Sequence, residues 1–131
     1  MKGAVWVAWG NKHLDSAVKS AGTFKKKNPK AGTALFTIEP FKHDVFDKVI
    51  VKPELEAIKS LATRPKVACL SYTPFESTIF FDNDTLILQN LDPAYEILQK
   101  YSIAGCQVSL WQKPRHAEIH RVKVPLLFPQ I

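Results

Sequence analysis

The sequence contains no long apolar run. Its hydrophobic opening, Ala4 to Ala8, ends at Gly10 and is far shorter than a signal core or the roughly 20 residues of a membrane span. Internal repeats, low-complexity tracts and Gly/Ser linkers are also missing. At 131 residues, of which 46% are hydrophobic, the chain can bury one compact core. We therefore expect a single domain over residues 1–131 with no transmembrane segment.

Cysteine is scarce, which argues against a disulfide scaffold. The two cysteines, Cys69 and Cys106, lie in apolar surroundings and lack the spacing of metal ligands. Such a pattern is typical of reduced, buried thiols in a protein of the cytoplasm. We expect a cytoplasmic protein whose thiols are inert.

Positive charge is in excess, with a net charge of +6 and a pI near 9.4. This favours anionic partners, among them nucleotides, sugar phosphates, nucleic acid and acidic lipid. The run Lys25 to Lys27 is interpreted as a solvated helix end, because cations suit the negative end of the helix dipole. The basic residues also lack the interleaved aromatics of a nucleic-acid motif, so we expect no nucleic-acid partner.

Hydrophobic periodicity alternates between strand-like and helix-like stretches. This predicts an α/β fold with a Rossmann-like, mainly parallel sheet and flanking helices. The stretches around 33–38 and 48–51 are expected to be strands covered on both faces. The final stretch, 111–131, has no clear period and is expected to be an irregular basic tail. The predicted strands lie near 3–8, 33–38, 48–51, 78–82 and 103–107, and the predicted helices near 12–26, 53–62 and 93–100.

Two carboxylates follow the strongest predicted strand, at Asp82 and Asp84. On an extended segment they project to the same side, whereas Asn83 points elsewhere. In an open α/β sheet, ligands bind beyond the carboxyl ends of the strands. The pair therefore predicts a site for Mg or Mn that bridges phosphate oxygens. A D-x-D pair also occurs as ordinary turn or cap residues, and that alternative stays open at this point.

The central stretch resembles glycogenin-like glycosyltransferases. In that family a lysine-bearing helix and a short turn lead into a hydrophobic strand, then D-x-D-T, an apolar stretch and an N-[IL]-D helix start. Here Asp82 to Thr85 match D-x-D-T, and Asn90 to Asp92 match N-[IL]-D. The stretches that carry this resemblance are Lys66 to Ser71, Tyr72 to Ser77 and Thr78 to Asp92.

The opening stretch is similar to bacterial and viral nucleotide-diphospho-sugar transferases of the same type. Its strand leads through Ala8 to Asn11 into a helix that ends at Asn28-Pro29. The resemblance covers roughly residues 3–106. It implies a GT-A fold, a nucleotide-sugar donor that is commonly a UDP-sugar, and a Mn or Mg ion.

The resemblance also implies roles for individual residues. Asp84 would ligate the metal, Asp82 would touch metal and ribose, and Lys66 would neutralise the diphosphate or approach the sugar as the catalytic residue. Asn83 would complete the nucleotide-binding segment. The first loop would lie near base and ribose through Ala8, Trp9, Gly10 and Asn11. Without the resemblance, Lys66 would be interpreted as a solvated lysine at a helix start.

Relatives of this type continue well beyond the position of Ile131 and take acceptor contacts and a further metal ligand, often histidine, from their later part. We expect a truncated version that binds its donor but transfers little sugar alone. The acceptor, which could be a sugar, a protein or a lipid, stays open, and so does a homo-oligomeric state. His116 and His120 have the spacing of two ligands on one helical face, but prolines bracket them, and they are interpreted as part of the tail. His13 and His43 are expected at the surface.

Three other interpretations remain. A non-catalytic nucleotide-binding remnant of the same fold is the strongest. A phosphatase of the haloacid-dehalogenase type also has a strand-end D-x-D-T, but Leu86 does not fit its motif and too few residues follow Asp84. A nucleic-acid binder has the least support, because no aromatic residues are interleaved with the basic ones.

Overall fold

A computed structural model of the chain describes residues 1–58 and 64–102. It divides the chain into two compact units, Met1–Asp92 and Pro93–Ile131. The strands are β1 (Lys2–Val7), β2 (Gly32–Thr37), β3 (Lys48–Val51) and β4 (Ser77–Phe80). The α-helices are α1 (Asn11–Lys27), α2 (Arg64–Cys69) and α3 (Asp92–Lys100), with 3₁₀ helices at Pro53–Ile58 and Leu70–Tyr72.

The four strands form one parallel sheet in the order β3-β2-β1-β4. β1 pairs with β2 through Gly3–Gly32 to Val7–Phe36 and with β4 through Lys2–Ser77 to Val5–Phe80. All three pairings are parallel. The prediction of an α/β fold with a parallel sheet is therefore confirmed, and the four predicted strands from 3–8 to 78–82 appear within one or two residues of their expected limits.

β1 is one of the two inner strands, and its side chains alternate between two apolar layers. Ala4 and Trp6 face the layer that includes α1, whereas Val5 and Val7 face the layer that includes Leu55 of the first 3₁₀ helix. Residues 3–7 are all buried. Coverage on both faces explains why the strand reads as a continuous apolar run rather than an alternating one.

Four aromatic rings form the centre of the α1-side layer. The Trp6 ring stacks on Phe81 at 5.6 Å between centroids and meets Phe24 and Phe46 edge-on at 5.8 and 6.0 Å. The Trp6 Nε1–H donates to Ser20 Oγ on α1 at 2.8 Å. Because this indole is fully buried, that hydrogen bond satisfies its only donor.

β2 and β3 are joined by a loop without a helix, and Thr33 holds this loop against the sheet. The Thr33 hydroxyl donates to the Val45 carbonyl at 2.7 Å, and the Thr33 N–H donates to the Asp47 carboxylate at 2.9 Å. Partial burial acts to raise the pKa of Asp47, but hydrogen bonds from Lys25 and Thr33 outweigh it, so the net pKa is lowered. The carboxylate therefore stays ionised while it fixes the start of β3.

Two predictions about the elements need correction. An α-helix is predicted near 53–62, but the described part of that range, Pro53–Ile58, is a 3₁₀ helix. A separate α-helix lies at Arg64–Cys69. β3 is covered on both faces only in part: Val49 packs against the α1-side layer and Ile50 against the other layer, but Lys48 and Val51 at the ends of the strand are exposed. The helices predicted near 12–26 and 93–100 are confirmed as α1 and α3. The strand predicted near 103–107 and the tail 111–131 lie outside the described residues.

In the part of the chain that the structure describes, no helix combines the length and apolar character needed to cross a bilayer.

Candidate nucleotide and metal site

The sheet changes winding direction between β1 and β4. From β1 the chain passes through α1 to β2 on one side, and after β3 it crosses over to β4 on the other side of β1. Where adjacent parallel strands connect in opposite directions, their carboxyl ends leave a crevice that ligands use in open α/β sheets. The loops that follow Val7 and Phe80 therefore define the candidate site.

The loop after β1 forms one side of the site. The Ala8 N–H donates to the Phe36 carbonyl at 3.0 Å, which extends the β1–β2 pairing by one residue. Gly10 has φ 85° and ψ 143°, a backbone conformation that essentially only glycine adopts. Helix α1 begins at the next residue, Asn11, and Gly10 supplies no side chain to cap it. The N–H groups of the first turn and the positive dipole end of α1 thus face this edge of the sheet, which favours an anion.

The loop after β4 forms the other side and carries the two aspartates. The Phe81 N–H donates to the Val5 carbonyl at 3.1 Å, and the Phe81 ring stacks on Trp6. The chain then turns, because the Thr85 N–H donates to the Asp82 carbonyl at 3.1 Å. The prediction of an extended segment is therefore wrong. Both Asp82 and Asp84 are exposed on this turn, directly beyond the carboxyl end of the sheet, as the sequence predicts.

Asn83 joins the two loops. Its Nδ2 donates to the carbonyl of Val7, the last residue of β1, at 3.2 Å. Its Oδ1 is buried and has no hydrogen-bond partner in the described part of the chain. An unsatisfied buried acceptor carries a free-energy cost. The Asn83 amide therefore gains a hydrogen bond through Nδ2 while its Oδ1 is left without one. The pattern D-x-D gives no signal for this contact.

Lys66 lies in α2, on the chain segment between β3 and β4, but its side chain is outside the described part of the structure. Its role at the diphosphate therefore stays a prediction. In the same helix Cys69 is fully buried, and this burial raises the pKa of its thiol to about 11, against a smaller lowering effect of the Lys52 charge. The prediction of a buried thiol is confirmed for Cys69, and Cys106 lies outside the described residues.

No cluster of three or more His, Cys, Asp or Glu side chains suited to a metal ion exists within residues 1–58 and 64–102. Two carboxylates are nevertheless a common protein contribution to Mg, which takes its other ligands from phosphates and water. Asp82 and Asp84 fit that requirement by type and by exposure. His13 and His43 are at the surface, as expected, and His116 and His120 lie outside the described residues.

Neither the family models nor the curated proteins with which the chain was compared contain a match to it.

The Asn83 contact leads to a prediction about ion binding. We expect Asn83→Ala to weaken Mn²⁺ binding by about tenfold, as loss of a group that orients a metal ligand does. Amide exchange at Thr85 should also become faster, because the turn loses its attachment to β1. Titration calorimetry and hydrogen exchange measure the two effects.

Two further variants separate orientation from charge. Asn83→Asp adds a carboxylate, which by charge alone would strengthen cation binding, but it places an oxygen against the Val7 carbonyl and should weaken binding instead. Asn90→Ala is the matched control, since Asn90 also donates to a backbone carbonyl, that of Lys27, at 3.1 Å. Tighter Mn²⁺ binding by Asn83→Asp would contradict the orienting role.

Proposed function

We propose that this chain is the donor-binding part of a metal-dependent glycosyltransferase of GT-A type that binds a nucleotide-diphosphate sugar, with a UDP-sugar as the expected donor. The observation that carries the proposal is the position of Asp82 and Asp84. They lie on an exposed turn beyond β4, at the edge of the sheet where the carboxyl ends of β1 and β4 are neighbours. Resemblance to glycogenin-like enzymes gives the same two residues the same task.

The electrostatics of the site explain why a divalent cation is needed. A diphosphate beside two carboxylates is repelled unless a cation lies between them. When bound, Mn or Mg would neutralise the diphosphate and act as a Lewis acid on the leaving group. Asp84 would hold the ion, and Asp82 would contact the ion and a ribose hydroxyl.

The loop after β1 supplies the remaining contacts in this proposal. Residues 8–11 lie at the carboxyl end of β1. Asn83 attaches the turn of residues 82–85, called the aspartate turn below, to that same strand end. Base and ribose would lie along Ala8 and Trp9. Gly10 is exposed, and apart from its chain neighbours no atom of the described residues lies within 4 Å of the position where its Cβ would stand, which leaves room for a ligand beside the first turn of α1. Lys66 is proposed to approach the diphosphate or the sugar.

The central test of the proposal is the dependence of nucleotide binding on a metal. We expect UDP to bind in the presence of Mn²⁺ and not in its absence, as measured by titration calorimetry. Asp84→Asn should weaken Mn²⁺-dependent binding by about 100-fold or more, because it removes a direct ligand rather than an outer group. The physical reason is the loss of the anionic oxygen that balances the cation.

Asp44→Asn is the matched control, because it removes the same charge from another exposed aspartate. Asp44 adjoins Val45, whose carbonyl accepts from Thr33 near the start of β2, so it lies toward the opposite end of the strand from the site. Equal losses in both variants, or UDP binding that needs no metal, would contradict the proposal.

A donor-hydrolysis assay distinguishes the enzyme from a non-catalytic nucleotide-binding remnant. Slow, Mn²⁺-dependent release of UDP from a UDP-sugar, lost in Asp84→Asn, would favour the enzyme. Tight UDP binding with an intact donor after prolonged incubation would favour the remnant.

A further inference from the structure

The segment after the aspartate turn runs along the C-terminal half of α1. The Ile87 N–H donates to Thr23 Oγ1 at 2.9 Å, and Asn90 Nδ2 donates to the Lys27 carbonyl at 3.1 Å. Ile87 is buried and belongs to the same apolar layer as Trp6. The position of this segment beside the helix is thus fixed by a buried side chain and two hydrogen bonds.

Two large apolar side chains on this segment face away from the core. Ile87 is only 5% exposed, whereas its neighbours Leu86 and Leu88 are 61% and 78% exposed. In an extended chain alternate residues point to opposite sides, so insertion of Ile87 into the core turns both leucines outward. A single exposed leucine is ordinary, but two on the same side of a fixed segment form a small apolar surface.

The adjoining face of α1 is basic. Residues three or four positions apart on a helix share a face, so Lys19, Lys26 and Lys27 lie on the same face as Thr23, the residue that contacts Ile87. All three lysines are exposed. None of them forms an ion pair within the described ranges, and Asp15 is the only acidic residue of α1. The surface formed by Lys19, Lys26, Lys27, Leu86 and Leu88 is called the lysine–leucine surface below.

We propose that the lysine–leucine surface docks this chain reversibly on an anionic lipid bilayer. Lysines attract the phosphate-rich, negatively charged headgroup region, and exposed leucines enter the boundary between headgroups and acyl chains. The combination favours lipid over nucleic acid, because a phosphate backbone is bound by charge and unpaired bases by stacking on aromatic rings, and neither contact uses exposed leucines. Since Leu86 lies two residues after Asp84, docking would hold the aspartate turn close to the membrane.

Vesicle co-sedimentation of the full chain tests this proposal. We expect binding to phosphatidylcholine vesicles that contain about 30% phosphatidylserine, weak binding to pure phosphatidylcholine, and loss of binding as salt rises. Lys26→Gln/Lys27→Gln should weaken binding by on the order of 30-fold, at the usual contribution of a lysine near an anionic surface. Leu86→Ser/Leu88→Ser should weaken it by about tenfold or more, because the apolar contact is removed.

Two controls separate docking at this surface from general charge attraction and from nucleotide binding. Lys42→Gln/Lys48→Gln removes two exposed lysines of the β2–β3 loop and the start of β3 and should change binding by less than about threefold. Asp84→Asn should not weaken vesicle binding, so a failure of the nucleotide proposal would leave this one standing. Thermal unfolding by circular dichroism verifies that each variant is folded.

Several results would overturn the proposal. Absence of vesicle binding at low salt would do so, as would equal losses from the two lysine pairs. Binding that is insensitive to the leucine substitutions, together with tighter binding to duplex DNA than to anionic vesicles, would identify the surface as a nucleic-acid contact instead.

Discussion

Trp6→Ala is expected to destabilise the Met1–Asp92 unit by about 3–5 kcal/mol, the usual cost of removing a large aromatic side chain from a core. The ring of Trp6 contacts three other aromatic rings, and its Nε1 holds Ser20 on α1. The substitution leaves a cavity beside Phe81 and removes the partner of the buried Ser20 hydroxyl. Because small domains have a free energy of unfolding of only about 5–15 kcal/mol, much of the stability would be lost.

Urea denaturation followed by far-ultraviolet circular dichroism measures this change. Trp9→Ala is the matched control, because Trp9 is only partly buried, at the border of the other apolar layer. We expect Trp9→Ala to cost clearly less than Trp6→Ala. A larger loss from Trp9→Ala would mean that the aromatic cluster around Trp6 is not the centre of the core.

The second large effect concerns two glycines under a single ring. Gly3 and Gly32 are register partners in β1 and β2, and a Cβ built on either would lie 2.5 Å from the ring of Phe75. This distance is far inside van der Waals contact, so Gly3→Ala or Gly32→Ala forces the ring out of its position. We expect each to lower the free energy of unfolding by about 1–3 kcal/mol, the range for overpacked cores.

Gly22→Ala provides a control of opposite sign. Gly22 lies inside α1, and among the described residues a Cβ there would meet no atom within 4 Å apart from the backbone of the helix itself. The same substitution should therefore stabilise the unit by about 0.5–1 kcal/mol, because glycine is a poor helix former. In addition, Phe75→Leu combined with Gly3→Ala should cost less than the sum of the two single changes, since a smaller side chain relieves the contact. Three glycine variants with changes of the same sign would contradict the packing described here.

Those elements that depend on local pattern could be predicted from the sequence. The strand-to-helix transition at residues 3–27 and the aspartate pair after an apolar strand are readable because side-chain periodicity and turn chemistry act over a few residues. The α-helix predicted near 53–62 is wrong over residues 53–58 for a local reason as well. Leu55, Ile58 and Leu61 are three residues apart, a spacing that suits a 3₁₀ helix as well as an α-helix.

Pro65 shows a second ambiguity of the same kind. A proline just after an apolar helical stripe often marks the end of a helix, but Pro65 stands in the first turn of α2, where the missing N–H of proline costs nothing. A proline therefore marks a helix boundary in the sequence without indicating on which side of it the helix lies.

The sequence by itself determined the alternation of strands and helices, the buried character of β1 and the position of Asp82 and Asp84 after β4. Only the tertiary structure decided what these elements meet. The strand order that places β4 beside β1, the contact between Asn83 and Val7 across 76 residues, and the outward orientation of Leu86 and Leu88 all depend on long-range packing. The physical reason is that periodicity records whether a side chain is buried, whereas its partners are chosen by pairings between segments that are distant along the chain.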